Sequence, residues 1–167
     1  HDLLLLSVSG DRCRTASHRN VCPGPLFREI VGNLTILAEE HKVRLENEID
    51  DALQIMGDEA LLPRICYNLL DNALRYAPEG SSIMVRWERQ GDNAVLTVTD
   101  QGPGIDPKDR EKIFERFYQV DESRNRGTGL GLAIVKWIAE LHDGSATVES
   151  STGKGASFRV CFPARDD

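Results

Sequence analysis

Apolar residues occupy every second position twice in close succession: Ile83, Val85 and Trp87 in "SIMVRWER", then Leu96 and Val98 in "AVLTVTD", with "QGDN" between them. Alternation of period two on either side of a Gly-containing turn predicts two antiparallel strands sharing one apolar face. That face has to be covered by other parts of the chain. The same period carries Asp100 onto the apolar side, two residues beyond Val98. A carboxylate placed there is costly unless something hydrogen-bonds it.

Helical patterns supply the cover. From Leu26 to His41 apolar residues recur at Leu26, Ile30, Leu34 and Leu37, and "KVRLENEI" (42–49) alternates Val43 and Leu45 as a short strand does. A second helix runs to about Tyr76 with Leu62, Ile65, Cys66, Leu69 and Ala73 as its buried stripe; Pro63 marks either its start or a kink. A third carries Leu130, Ile134, Trp137, Ile138 and Leu141 and is closed by Gly144 as a C-cap. "SATVES" and "ASFRVCF", joined by "STGKG", predict a last hairpin with Phe158, Val160 and Phe162 facing inward. This order predicts an α/β (α+β) two-layer sandwich: a mixed, largely antiparallel sheet covered on one face by helices. Residues 1–8 read as the end of a helix and 9–25 as a linker, so the expected division is 1–24, a helix end and linker, and 25–167, one globular domain.

Composition narrows the function. A chain of 167 residues is the size of one domain, and a formal charge of -7 with no basic stripe excludes a nucleic-acid surface. The aliphatic run Leu3–Leu6 is too short to span a bilayer, so no membrane insertion is expected of these residues. Cys13, Cys22, Cys66 and Cys161 have neither CxxC nor Cys/His ligand spacing and read as free thiols. His18, His41 and His142 sit in no motif and read as surface residues.

Three polar features stand out from the core pattern. "RNRGTGLGLAIVKW" places Gly127, Gly129 and Gly131 at alternate positions directly before a helix, where uncrowded N–H groups and the helix dipole attract an anion. Neither the P-loop nor the dinucleotide fingerprint fits, and a flexible loop leading into a core helix stands as the alternative. In "VTDQGPGID", Gly102 and Gly104 keep side chains away from whatever approaches Asp100, unless the acid only opens an ordinary turn. In "RICYNLLDNALRYAP", Asn68, Asn72, Arg75 and Tyr76 share a helix face beside the buried stripe. Two aligned amides are poor mid-helix choices, and neutral oxygens suit a hard cation such as Mg²⁺; a solvated face is the plainer reading.

Together these segments resemble the C-terminal ATP-binding domain of bacterial sensor histidine kinases, in the superfamily shared with gyrase B, the heat-shock chaperone ATPase domain and MutL. "NLLDNALRYAP" is similar to the N box, "DQGPGID" to the first glycine box, "IFERFYQ" to the F box and "GTGLGLAIV" to the second glycine box, in that family's order, over about residues 26–163. The resemblance implies ATP and Mg²⁺, with Asn72 as metal ligand and Asn68 helping to hold metal or phosphate. It implies Arg75 on phosphate, Tyr76 stacked beside the adenine, and Asp100 accepting from the adenine exocyclic amine with room left by Gly102 and Gly104. Phe114 and Phe117 would anchor a lid. Arg124 and Arg126 would reach the outer phosphates, and Gly127, Thr128, Gly129, Leu130 and Gly131 would form the hinge and anion cradle.

At position 68 the ATP-hydrolysing relatives typically carry a Glu as general base. Asn68 cannot take a proton, which favours phosphoryl transfer to an acceptor over hydrolysis. The implied acceptor is a His on a dimerisation domain expected upstream, since His1 and Asp2 continue into leucines rather than the acceptor pattern. A response regulator, an intact homodimer and a cytoplasmic position beneath a bacterial inner-membrane sensor follow from the same resemblance. The family often has a Thr where Ala156 stands. The alternatives are a nucleotide-gated interaction module without transfer, and an anti-sigma-type serine kinase of the same fold.

Overall fold

The computed structural model describes residues 18–115, 131–150 and 154–165. The helix tail expected over 1–8, with His1, lies outside them. In chain order the described residues form β1 (Arg19–Val21), α1 (Gly24–Glu40), β2 (Arg44–Ile49), β3 (Ile55–Gly57), α2 (Leu62–Tyr76), β4 (Ser82–Gln90) and β5 (Asn93–Asp100). Two short 3-10 turns follow (Pro107–Asp109 and Lys112–Phe114), then α3 (Gly131–Leu141), β6 (Ser145–Ser150) and β7 (Ala156–Pro163). Five strands make one sheet in the order β2-β4-β5-β7-β6, with only the β2–β4 pair parallel. This is the expected mixed, largely antiparallel sheet with a helical layer. Among the described residues no helix is long and apolar enough to cross a membrane.

The β4–β5 hairpin forms as the alternation predicts, closing through Gly91 at φ 62. Its inward residues Ile83, Val85, Trp87, Leu96 and Val98 are buried. Trp87 stacks edge-on against Phe27 of α1 at 5.2 Å and Phe162 of β7 at 6.0 Å, so one indole joins three elements. The buried face of α1 is Phe27, Val31, Leu34 and Ala38; of the expected stripe Leu26, Ile30, Leu34 and Leu37 only Leu34 is fully buried, and the face is turned toward Phe27. Both sets have a helical period, and the pairing of Phe27 with Trp87 selects between them. On α3 the buried residues are Ala133, Ile134, Val135, Ile138 and Ala139, while Trp137 and Leu141 are half-buried.

Pro63 lies in the first turn of α2 and marks its start rather than a kink. The helix stops at Ala77, which is extended (φ -68, ψ 126) because Pro78 follows it. Within the stretch read as linker, Arg19–Val21 is a strand, antiparallel to β3, with Val21 buried opposite Ile55. Three residues with one inward side chain present no period to read. At the end of α3 the left-handed residue is Asp143 (φ 56), not Gly144. Gly144 donates its N–H to Ala139 O at 2.8 Å and is glycine because a Cβ would run into the Cys161 carbonyl of β7.

His142 is also not a surface residue: it is 3% exposed. Its Nδ1 lies 2.7 Å from Ile138 O, and its Nε2 accepts the Asp58 N–H at 3.0 Å. Both bonds are made only by the neutral ring protonated on Nδ1. Burial holds its pKa below the ordinary 6.5, the nearby His18 adds to that, and the Ile138 carbonyl, Asp58 and Asp143 oppose it. A folded-state value below the unfolded one means that the stability from His142 is complete above 6.5 and erodes as pH falls below it. Urea unfolding at stepped pH is expected to show this loss in the natural chain and a shallower one in His142→Gln; parallel curves would remove His142 as the cause.

Candidate functional site

Asp100 ends β5 on the inward face, 6% exposed. Its Oδ1 accepts the Gly102 N–H at 2.8 Å, and Ala156 is its register partner on β7. Burial raises the carboxyl above the usual 3.8, and the backbone at Gly102 and Ala156 pulls the other way. Ala156 brings no side-chain hydroxyl to the carboxylate, as the sequence indicated.

The loop after Asp100 folds back on the end of α2. A Cβ on Gly102 would lie 2.9 Å from the Tyr76 carbonyl oxygen and 3.0 Å from Asp100 Oδ1, so only glycine fits. Gly104 takes φ 78, the left-handed conformation glycine favours. Tyr76 itself is half-buried. The Tyr76 backbone, Asp100 and Gly102 therefore meet at one place.

Two turns earlier on α2, Asn68 Nδ2 donates to Gly131 O at 3.3 Å, and Gly131 is the first residue of α3. Because Nδ2 is committed to Gly131, the carbonyl oxygen of the amide is left to face elsewhere. Asn72 is half-buried one turn on. Eight residues at 1.5 Å rise separate Asn68 from Tyr76 by about 12 Å, so α2 sets the spacing between the amide end and the carboxylate end. Arg75 pairs with Asp71 at 2.9 Å, with the two side chains 38% and 36% exposed. An ion pair that wet contributes little and opens readily.

Phe114 is buried edge-on against Phe158 at 6.2 Å. Phe117, Arg124, Arg126, Gly127, Thr128, Gly129 and Leu130 lie outside the described residues. Ser150 and Gly155 also belong to this region, though no motif marks them. Ser150 Oγ accepts the Ile105 N–H at 2.7 Å and donates to Gly155 O at 2.6 Å; Gly155 has φ 80 and packs under the Asp100 carbonyl. A serine at a strand end carries no local signal of such contacts.

Residues 57–166 match the family described as histidine kinase-, DNA gyrase B- and HSP90-like ATPase, and the chain belongs to that family. Within it, the chain is 39% identical over 142 residues to the sensor-like histidine kinase SenX3 of Mycobacterium tuberculosis, covering 83% of this chain and 35% of that protein. The chain thus spans about a third of this relative's length. Among solved structures, the mycobacterial sensor histidine kinase MprB superposes with a TM-score of 0.76 at 30% identity, covering 90% of this chain and 99% of that one. Full-length ShkA in complex with AMPPNP gives a TM-score of 0.86 at 27% identity, over 99% of this chain and 35% of that one.

Gly102→Ala should destabilise the domain by about 1–3 kcal/mol, because the new methyl meets the Tyr76 backbone carbonyl. Gly32→Ala, on α1 with nothing within 4 Å of the added atom, should instead stabilise it by up to about 1 kcal/mol. Urea denaturation of the two variants beside the parent checks both signs.

Proposed function

We propose that this chain is the ATP-binding catalytic domain of a two-component sensor histidine kinase, transferring the γ-phosphate of ATP to a His on a dimerisation domain of the same protein. The observation that supports it most is the buried Asp100 carboxylate, held by the Gly102 N–H beside the Tyr76 end of the helix that carries both amides. In this reading Asp100 accepts from the adenine exocyclic amine, and Tyr76 lies beside the ring. Guanine offers a carbonyl where adenine has that amine, so an ionised acid selects adenine.

The amide end fits a hard divalent ion. The Asn72 and Asn68 carbonyl oxygens are neutral donors, and among the described residues there is no group of three or more His, Cys, Asp or Glu side chains that would form a cage. An ion held this way takes its remaining ligands from phosphate and water, as Mg²⁺ prefers. When bound, Mg²⁺ neutralises negative charge on the triphosphate. Arg75 releases Asp71 to reach phosphate at small cost. Gly131, anchored to Asn68, begins the helix whose N-terminus faces the phosphates, with Arg124, Arg126, Gly127, Thr128, Gly129 and Leu130 completing the lid.

Asn68 has no basic site for a proton, so water is not activated at this position and phosphate is kept for the acceptor. The acceptor nucleophile, a histidine imidazole, needs positioning more than deprotonation. The phosphoryl group then passes to a response regulator, and the intact protein works as a homodimer whose catalytic domain is cytoplasmic beneath an inner-membrane sensor.

Asn72→Ala is expected to abolish Mg²⁺-dependent ATP binding in titration calorimetry, and Asp100→Asn to narrow the preference for ATP over GTP at least tenfold. Parent-like binding by either variant would take that residue out of the site. Mixed with a separately produced acceptor domain and labelled ATP, the chain should yield acid-labile phosphohistidine. ATP binding without any such product would favour a nucleotide-gated interaction module.

A further inference from the structure

We propose that Ser150 is a positioning residue for adenine recognition, its hydroxyl orienting the Asp100 carboxylate by tying together the two backbone segments that hold it. The proposal rests on the reading of Asp100 as the purine acceptor. Ser150, Ala156 and Asp100 are successive register partners across β6, β7 and β5, so they form one row at the same end of the sheet. Two segments hold Asp100: the loop that follows it, whose Gly102 N–H donates to Oδ1, and the start of β7, where Ala156 is its register partner.

The Ser150 hydroxyl is bonded to both of those segments at once. It accepts from Ile105 N–H at 2.7 Å, fixing the far end of the loop that starts at Gly102. It donates to Gly155 O at 2.6 Å, fixing the peptide that joins Gly155 to Ala156. Gly155, at φ 80, has its α-carbon against the Asp100 backbone, where any side chain would collide with the Asp100 carbonyl. The Ser150 hydroxyl therefore links the loop from Gly102 to Ile105, which donates to the Asp100 carboxylate, with the Gly155–Ala156 segment paired to Asp100 across the sheet.

A hydroxyl is suited to this place because it donates and accepts through a single atom, which neither a methyl nor a carboxylate does. Ser150 is half-buried, so removing its oxygen leaves Ile105 N–H and Gly155 C=O poorly paired and frees both segments. Ala156, the residue directly facing Asp100, has no polar side chain to hold the carboxylate in its place. The orientation of the acid thus depends on these backbone segments, and their placement depends on Ser150. Ser150 acts through Asp100 and does not itself touch the nucleotide.

The test is binding of ATP and of GTP by the full chain with Ser150→Ala, Ser150→Cys and Ser150→Thr, with Asp100→Asn alongside and thermal stability recorded for each. Ser150→Ala should weaken ATP about tenfold with little change for GTP, so that the ATP to GTP ratio falls by about that factor. Ser150→Cys, close to serine in size but a weak hydrogen-bonder, should do the same and serves if the alanine variant fails to fold. Ser150→Thr keeps the hydroxyl and should restore the ratio. A loosened Gly102 N–H stabilises the carboxylate less, so the loss of ATP affinity on acidification should begin at higher pH in the hydroxyl-free variants.

A purely architectural serine would lower stability while leaving both the ratio and the pH profile as in the parent, and that result overturns the proposal. If Asp100→Asn narrows the ratio and the hydroxyl-free variants do not, Ser150 alone is displaced. If Asp100→Asn leaves the ratio unchanged, the purine reading of Asp100 is what fails.

Discussion

A carboxylate at the end of an apolar strand face has to be solvated by the protein, and the organisation around Asp100 follows from that requirement. The Gly102 N–H donates to it from the loop that follows, and the Gly155–Ala156 backbone packs on Asp100 from the start of β7. Each has to come close, which is why Gly102 and Gly155 have no room for a Cβ against Tyr76 O and the Asp100 carbonyl. Burial still leaves the acid with a raised pKa, so the backbone around it offsets the loss of water only in part. On the proposed reading, the adenine amine supplies the further donor that this acid lacks.

The helix α2 connects this end of the site to the other. One side of it is core, with Leu62, Ile65, Cys66, Leu69, Leu70, Ala73 and Leu74 buried. Burial pushes the Cys66 thiol up to about 12, so it packs as a small apolar group rather than as a nucleophile. Beside that core stripe, Asn68 holds the first residue of α3 and the Tyr76 backbone meets Gly102. A rigid helix fixed at both ends by packing is a better ruler for a ligand than loops are. The sheet is tied to the helical layer as well, because Trp87 of β4 packs against Phe27 of α1 and Phe162 of β7.

Local period made most elements legible. The hairpin at 82–100, α2 with its buried stripe, and the final hairpin stand where alternation and helical repeat place them. On α1 the repeat marked the helix and Leu34, but packing of Phe27 on Trp87 turned the buried face to Phe27, Val31 and Ala38. The strand Arg19–Val21 was invisible because one inward residue has no period, and its pairing with β3 is a long-range event. The burial of His142 is hidden for a related reason: a lone imidazole in sequence carries no mark of the Asp58 N–H that it receives from 84 residues away.

By itself the sequence determined most of the elements and their order, the inward aim of Asp100, and the set of polar residue types that mark an ATPase-family domain. These are properties of neighbours, set by side-chain period and by the φ preferences of glycine and proline. The tertiary structure alone decided which distant groups complete one another: Asn68 with Gly131 across 63 residues, and Ser150 with Ile105 across 45. Those pairings depend on how the strands align and the helices cross the sheet, and no local pattern encodes the relative placement of segments so far apart in the chain.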